Sequence, residues 1–231
     1  MPSLVFKFIV VGNTDVGKSS LLLQFVEQRF NEKHAMTIGV EYGLKPAQVK
    51  GRDIQIEIWD TAGQECYMAL TRSYYRNADG CLVCFDLTNR SSFDSVSKWV
   101  EHARSNSGNP YLVLTLVGNK ADCQGRRQVA RAEAEALAAH HGMEYREITA
   151  KDNEAVQGLF HTTAERIFKA VESGPDGEAG AVGSDIVIDG AGRVRLRSTS
   201  SSSASSSTGN IVLAPGKASV NPSSAAEGGC C

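Results

Sequence analysis

The stretch VVGNTDVGKSSLL, residues 10–22, decides the fold of this chain. It begins at the end of an apolar run, passes through the pattern GxxxxGKS at Gly12–Ser19, and continues into a leucine-rich segment with helical spacing. Glycines in such a loop let backbone N–H groups curl around phosphates, and the N-terminus of the following helix adds positive potential. A strand, this loop and a helix in that order are typical of a nucleoside triphosphate site.

The residues of this phosphate loop have separate expected tasks. Lys18 is expected to reach the β- and γ-phosphates, and Ser19 to bind Mg²⁺ through its hydroxyl. The other residues predicted to line the phosphates are Gly12, Asn13, Thr14, Asp15, Val16, Gly17 and Ser20. The alternative, a chance Gly-Lys-Ser in a helix-capping turn, does not account for the strand, loop and helix occurring together.

Short apolar runs alternate with helical patterns along the first 172 residues. The predicted strands are Leu4–Val11, Glu41–Val49, Ile54–Asp60, Cys81–Asp86 and Tyr111–Val117. The predicted helices begin at Gly17–Phe25 and continue with Ser92–Ser105, Ala130–His141 and Glu154–Val171. Strands alternating with helices, with one hairpin around Lys50-Gly51-Arg52, predict an α/β fold with a doubly wound, mostly parallel six-stranded sheet.

The composition changes after residue 172. Residues 173–231 contain no aromatic residue and are rich in serine and glycine, so they cannot bury enough apolar surface to offset the entropy lost on ordering. We therefore predict one globular domain over residues 1–172 and a disordered tail over residues 173–231. The segment DIVIDGAGRVRLR, residues 185–197, is also compatible with a small hairpin, although two strands alone are marginally stable.

Charge, hydropathy and cysteine spacing exclude several classes of function. The 24 Lys and Arg residues against 26 Asp and Glu residues give a net charge of −2, so we expect no nucleic-acid partner. No apolar run of about eighteen residues predicts a membrane helix, and no signal-peptide pattern is present. Cys81 and Cys84 form a CxxC pattern, but residues three apart on a strand point to opposite faces and no second Cys/His pair completes a zinc site. We expect a cytosolic, reduced protein.

Two further motifs add residues to the predicted site. In IEIWDTAGQE, residues 56–65, Asp60 ends a strand and is placed to hold Mg²⁺ through a water, while Gly63 leaves room for its N–H to approach a γ-phosphate. Gln64 is placed to orient an attacking water. In LVGNKAD, residues 116–122, Asp122 can accept from guanine N1–H and N2–H₂, donors that adenine lacks, which discriminates by about 10⁴-fold or more.

The same LVGNKAD segment has two more residues with expected roles. Asn119 is placed to tie this loop to the phosphate loop, and the stem of Lys120 to cover the base. Both follow a strand, and ligands of such sheets bind at the carboxyl ends of the strands.

These motifs, in this order and spacing, resemble those of the Ras-superfamily small GTPases. The resemblance covers residues 4–171 and the last two cysteines. Four stretches are similar to the Rab family and, through TRSYYR and GGCC, to its branch at the Golgi and the early or recycling endosomes. They are TIGVEYG (residues 37–43), AGQECYMALTRSYYR (62–76), GCLVCFDLT (80–88) and GGCC (228–231).

The resemblance implies roles for further residues. Thr37 ligates Mg²⁺ and senses the γ-phosphate in the first switch, residues 62–76 form the second switch, and Phe30 packs on the guanine edge. The segment EITAK is similar to a third base loop, in which the Ala150 N–H meets guanine O6. Thr149 and Lys151 flank Ala150 in that loop. Trp59, Tyr74 and the hydrophobic residues near Ile38 form an effector-binding aromatic surface; for the two rings, simple core packing is the alternative.

The implied reaction is hydrolysis of GTP to GDP and phosphate. Lys18, Mg²⁺ and backbone amides neutralise the leaving oxygen, and Gln64 aligns the water. No arginine lies in residues 31–39, so the intrinsic rate is expected at about 10⁻⁴ to 10⁻³ per second, with an activating protein (GAP) supplying an arginine finger in trans. The other implied partners are an exchange factor, a GDP-dissociation inhibitor or escort protein, and effectors that bind the GTP-ordered switches.

Thr14 and Asp15 depart from the pattern, because many relatives carry Ser or Gly and then Gly at these positions. Thr14 is expected close to the transferred charge. Asp15 brings a carboxylate to about 5–6 Å from phosphates, a repulsion of about a kcal/mol or more. Because aspartate tolerates a left-handed backbone, the loop need not distort. We therefore expect Asp15 to weaken nucleotide affinity and to speed nucleotide release.

Cys230 and Cys231 resemble the double geranylgeranylation site of the family. The residues from 172 onward carry six acidic and four basic side chains, so the tail has no polybasic segment that would strengthen membrane binding. Stable anchoring therefore needs two lipid chains. The alternative is two unmodified exposed thiols. The expected location is the cytoplasmic face of Golgi or early or recycling endosome membranes, with a soluble cytosolic pool.

Two other functional classes compete with a switch GTPase. A catalytically weak nucleotide-binding adaptor of the same fold is kept open by Asp15, although Lys18, Thr37, Asp60 and Gln64 favour hydrolysis. A P-loop metabolite kinase would need an acceptor site and an arginine-bearing lid, and the NKxD motif and terminal cysteines argue against it.

Overall fold

The computed structural model describes residues 4–31, 40–61, 73–173, 186–188 and 194–196. All of them belong to the first of two units into which the chain divides, Met1–Arg197. The domain boundary predicted at residue 172 stays a prediction.

A six-stranded sheet forms the centre of the domain. Its order is β2-β3-β1-β4-β5-β6. Neighbours pair in parallel except β2, which pairs antiparallel with β3 through the predicted hairpin. The strands are β1 (Leu4–Val11), β2 (Val40–Val49), β3 (Arg52–Thr61), β4 (Gly80–Asp86), β5 (Val113–Asn119) and β6 (Glu144–Glu147). This confirms the predicted α/β fold.

Helices cover both faces of the sheet and enclose two separate cores. They are α1 (Lys18–Glu27), α2 (Arg90–Asp94), α3 (Val96–Ser107), α4 (Arg131–His140) and α5 (Asn153–Ser173). On the face covered by α1 and α5, the Phe160 ring packs 4.1 Å from that of Phe25 and 5.7 Å from that of Phe8. On the other face, α3 buries Trp99 and Val100.

Cys81 and Cys84 lie on opposite faces of β4, as predicted, and each belongs to a different core. Both are fully buried free thiols. Burial raises the pKa of both, that of Cys84 to about 12. They are therefore protonated and serve as small apolar residues.

One local prediction was wrong, and one strand of the predicted six-stranded sheet was not located. The helix predicted over Ser92–Ser105 is broken at Ser95, whose N–H donates to the Phe93 carbonyl and whose hydroxyl donates to the Ser91 carbonyl 3.0 Å away. These local bonds compete with a continuous helical ladder. Strand β6 has no predicted counterpart, because its sequence EYRE carries three charged residues and the strand lies half-exposed at the sheet edge.

The segment DIVIDGAGRVRLR contains a two-stranded ribbon. Strands β7 (Ile186–Ile188) and β8 (Val194–Leu196) pair antiparallel, with Ile186 opposite Leu196. This pairing agrees with the small hairpin that the sequence left open, and residues 189–193 between the strands lie outside the described residues. Among the described residues, no helix is long and apolar enough to cross a bilayer.

Candidate nucleotide-binding site

The phosphate loop runs from the end of β1 into α1 and packs tightly on its neighbours. A Cβ at Gly12 would lie 2.1 Å from the Cys84 carbonyl oxygen, and φ there is +139°. A Cβ at Gly17 would lie 2.3 Å from the Asn119 amide nitrogen, at φ +93°. Only glycine fits either position, because both the space and the backbone conformation exclude a side chain.

Lys18 is nearly buried inside this loop. Its Nζ donates to the Asn13 carbonyl at 2.9 Å. Burial lowers the pKa of Lys18, whereas the charges of Asp60, Cys84 and Asp15 act in the opposite direction. Burying an ammonium group is costly unless anions face it, so this position suits a phosphate ligand.

The expected Mg²⁺ ligands Ser19 and Asp60 are brought into contact. The Ser19 hydroxyl donates to the Asp60 carboxylate across the start of α1 and the end of β3, and both residues are buried. A hydroxyl and a carboxylate are the oxygen donors that Mg²⁺ prefers, so this part of the donor set fits the ion.

Asn119 ties three loops together from the end of β5. Its Nδ2 donates to the Val16 carbonyl of the phosphate loop at 2.8 Å. Its Oδ1 accepts from the backbone N–H groups of Lys120 and Ala150 at 2.8 and 3.1 Å. The tie predicted between Asn119 and the phosphate loop is therefore present, and it includes the ITAK segment, residues 148–151, as well.

Three of the remaining residues predicted to bind guanine lie close together. Lys151 Nζ lies 3.0 Å from a carboxylate oxygen of Asp122 and 5.6 Å from the ring centroid of Phe30. Partial burial raises the pKa of Asp122, but hydrogen bonds from Thr149 and Lys151 outweigh it, so the net pKa is lowered. Asp122 is therefore an ionised acceptor at neutral pH, as recognition of guanine N1–H and N2–H₂ requires.

The Lys120 side chain is held by an ion pair at the end of β5. Its Nζ lies 2.7 Å from the carboxylate of Asp86, which is itself nearly buried. This pair fixes the aliphatic stem in place.

A sequence model of the Ras family matches residues 7–169, which include part or all of each of the six strands and the residues described above for the site. The chain belongs to the Ras family. It is therefore a small GTPase, and members of this family bind GTP and GDP and generally use Mg²⁺ with the nucleotide.

Several residues expected in this Ras-family site lie outside the described residues. They are Thr37 of the first switch, Gly63 and Gln64 of the second, and the two cysteines Cys230 and Cys231. Their roles stay predictions. Thr14 and Ser20 are half-buried, at the tip of the loop and in the first turn of α1.

Sequence reasoning missed an ion pair that braces the two base loops of this Ras-family domain, NKAD at residues 119–122 and ITAK. Arg127, beyond NKAD, donates to both carboxylate oxygens of Glu147, immediately before ITAK, at 3.0 and 2.8 Å. The Tyr145 hydroxyl donates to the same carboxylate at 2.9 Å. The position of Glu147 next to ITAK was the available signal, but its partner lies 20 residues away.

Asp15 adopts the left-handed backbone that its position requires. Its φ is +61° and its side chain is exposed. Burial lowers the pKa of Lys18, the residue expected to hold the phosphates, and the charge of Asp15 is one of three that oppose this lowering without reversing it. The carboxylate therefore acts on the same ammonium that a nucleotide phosphate would contact.

We expect GDP to dissociate about threefold to tenfold more slowly from Asp15→Gly than from the unmodified chain, because the carboxylate repels phosphate. The difference should shrink at high ionic strength, since salt screens exposed charges. Release of a fluorescent GDP analogue at two salt concentrations measures both effects. Asp53→Asn removes an exposed carboxylate at the far end of the β2–β3 hairpin and serves as control. Equal release from Asp15→Gly and the unmodified chain would contradict this expectation.

Proposed function

We propose that the chain is a Rab-type switch that regulates vesicle traffic by recruiting effectors in its GTP-bound state. The observation that carries the proposal is a row of three aromatic side chains whose residues adjoin or belong to the segments expected to switch. Tyr42 follows residues 32–39, Trp59 precedes the second switch predicted over residues 62–76, and Tyr74 lies within that switch.

The exposed end of this aromatic row supports a binding surface, although the Trp59 ring also packs against the core. The ring centroids of Tyr42 and Trp59 are 5.0 Å apart, and those of Trp59 and Tyr74 are 5.4 Å apart. Tyr42 is 51% exposed, and Leu44, two residues further on the same face of β2, is 45% exposed. Contiguous exposed apolar side chains of this kind mark interaction sites. A partner bound there would contact residues that adjoin or belong to both switch segments in sequence.

The timing of the switch is proposed to come from slow hydrolysis. Bound Mg²⁺ supplies positive charge at the phosphates, and Lys18 supplies more from within the loop. Gln64 orients the attacking water. Because residues 31–39 contain no arginine, the missing charge is proposed to come from a GAP, while an exchange factor reloads GTP.

Gln64→Leu should remain largely GTP-loaded in cells, because it loses the group that orients water. Ser19→Asn should favour GDP, because it changes a Mg²⁺ ligand next to the γ-phosphate. The measurement is the ratio of GTP to GDP on protein isolated from cells labelled with radioactive phosphate. Gln48→Leu, an exposed glutamine on β2, is the matched control.

Ratios that neither Gln64→Leu nor Ser19→Asn changes would contradict the switch. A high GTP fraction already present in the unmodified chain would instead favour the catalytically weak adaptor, the alternative that Asp15 supports.

The membrane attachment is proposed to use two geranylgeranyl groups on Cys230 and Cys231, with an escort protein or GDP-dissociation inhibitor carrying the soluble form. A tail of this length that behaves as the flexible coil its composition predicts would place the domain about 40 Å from its anchor. The proposed location is the cytoplasmic face of Golgi or early or recycling endosome membranes. What supports this is the sequence GGCC together with TRSYYR.

The double variant Cys230→Ser/Cys231→Ser should move from the membrane fraction to the soluble fraction, and each single variant should bind membranes only weakly, because one chain anchors marginally. Fractionation of cells and intact-mass measurement of the tail test this expectation. Cys123→Ser, within the domain, is the control. A tail with no added mass would contradict lipid anchoring.

A further inference from the structure

The side-chain nitrogen, the side-chain oxygen and the backbone carbonyl of Asn13 each make a hydrogen bond. Nδ2 donates to the Ser95 hydroxyl at 3.2 Å, and Oδ1 accepts from the Trp99 indole N–H at 2.7 Å. The Asn13 carbonyl accepts from Lys18 Nζ at 2.9 Å. One residue therefore links the phosphate-binding lysine to a helix that is more than 80 positions away in sequence.

The helix end of this link is well fixed. Ser95 and Trp99 are one turn apart and share a face, and the Ser95 hydroxyl donates to the Ser91 carbonyl while it accepts from Asn13. Trp99 is 2% exposed and packs in the core on that side of the sheet. A buried ring loses its freedom to move with the loop, so its N–H is a stationary donor.

Without the bonds of Asn13, the backbone of the phosphate loop could adopt several conformations. Gly12, Asp15 and Gly17 all have positive φ values, and Asp15 is exposed. The other fixed point is Val16, whose side chain is fully buried and whose carbonyl is held by Asn119. Asn13 and Val16 therefore pin the loop on either side of Thr14 and Asp15.

We propose that Trp99 is a positioning residue for the nucleotide: through Asn13 it holds the phosphate loop in its binding shape and slows nucleotide release. The inference rests on the proposed guanine nucleotide site and adds a residue that does not contact the ligand. Its physical basis is that a bond to a fixed donor favours the one loop conformation in which the Asn13 carbonyl meets Lys18.

The test is GDP release from Trp99→Phe, Asn13→Ala and the double variant. Phenylalanine keeps most of the packing and removes only the indole donor. We expect each single variant to release a fluorescent GDP analogue about fivefold to tenfold faster, the effect of one buried hydrogen bond. The double variant should release it no faster than the quicker single variant, because both changes break the same link.

Two further measurements separate positioning from general destabilisation. Thr163→Val removes a buried hydroxyl that bonds Thr115 and the Leu159 carbonyl, away from the loop. It should lower the thermal midpoint and leave GDP release unchanged. The chain has two tryptophans, so its indole N–H spectrum has an internal reference: Asn13→Ala should shift the Trp99 resonance and spare that of Trp59.

Release at the unmodified rate in Trp99→Phe and Asn13→Ala, with a lowered thermal midpoint, would overturn the inference and leave the proposed function standing. Additive effects in the double variant would overturn it too. An unmodified chain that binds no guanine nucleotide would overturn both. If Trp99→Phe does not fold, Asn13→Ala decides the test, because Asn13 lies in a half-buried loop. Its two readouts are the GDP release rate and the position of the Trp99 resonance.

Discussion

The three hydrogen bonds of the Asn119 side chain are the interaction on which the site depends. They join the phosphate loop, the NKAD loop and the ITAK loop at the carboxyl edge of the sheet. Position 17 must be glycine because the Asn119 amide occupies the space that a side chain would need. Since parallel strands deliver all of these loops to one edge, a single buried amide can align the groups expected to hold phosphate and base.

Around that amide, the phosphate loop combines adaptable backbone with a few fixed points. Its positive-φ residues allow it to curl closely, and Asp15 occupies one of those positions without distorting it. The bonds from Val16 to Asn119 and from Asn13 to Trp99 restrict this freedom on either side. The departure at Asp15 is therefore electrostatic, and the loop retains its shape.

Most of the fold and the core of the site were predictable because their signals are local. The phosphate loop, the hairpin and the NKAD motif each lie within a short stretch whose residue types predict the local structure or the ligand. What was missed depends on partners distant in sequence: Arg127 with Glu147, and Asn13 with Trp99. The break at Ser95 was missed because Ser95 bonds locally to Ser91 and Phe93 instead of continuing the helical ladder. Strand β6 was missed because its charged, half-exposed sequence carries no apolar strand signal.

The most direct measurement is the identity of the nucleotide that the natively purified chain carries, released by denaturation and separated by chromatography. The account predicts close to one equivalent of GDP, since guanine is selected at Asp122 and bound GTP is slowly hydrolysed. A stoichiometric adenine nucleotide, or a chain that carries no nucleotide and does not take up GDP with Mg²⁺, would contradict it.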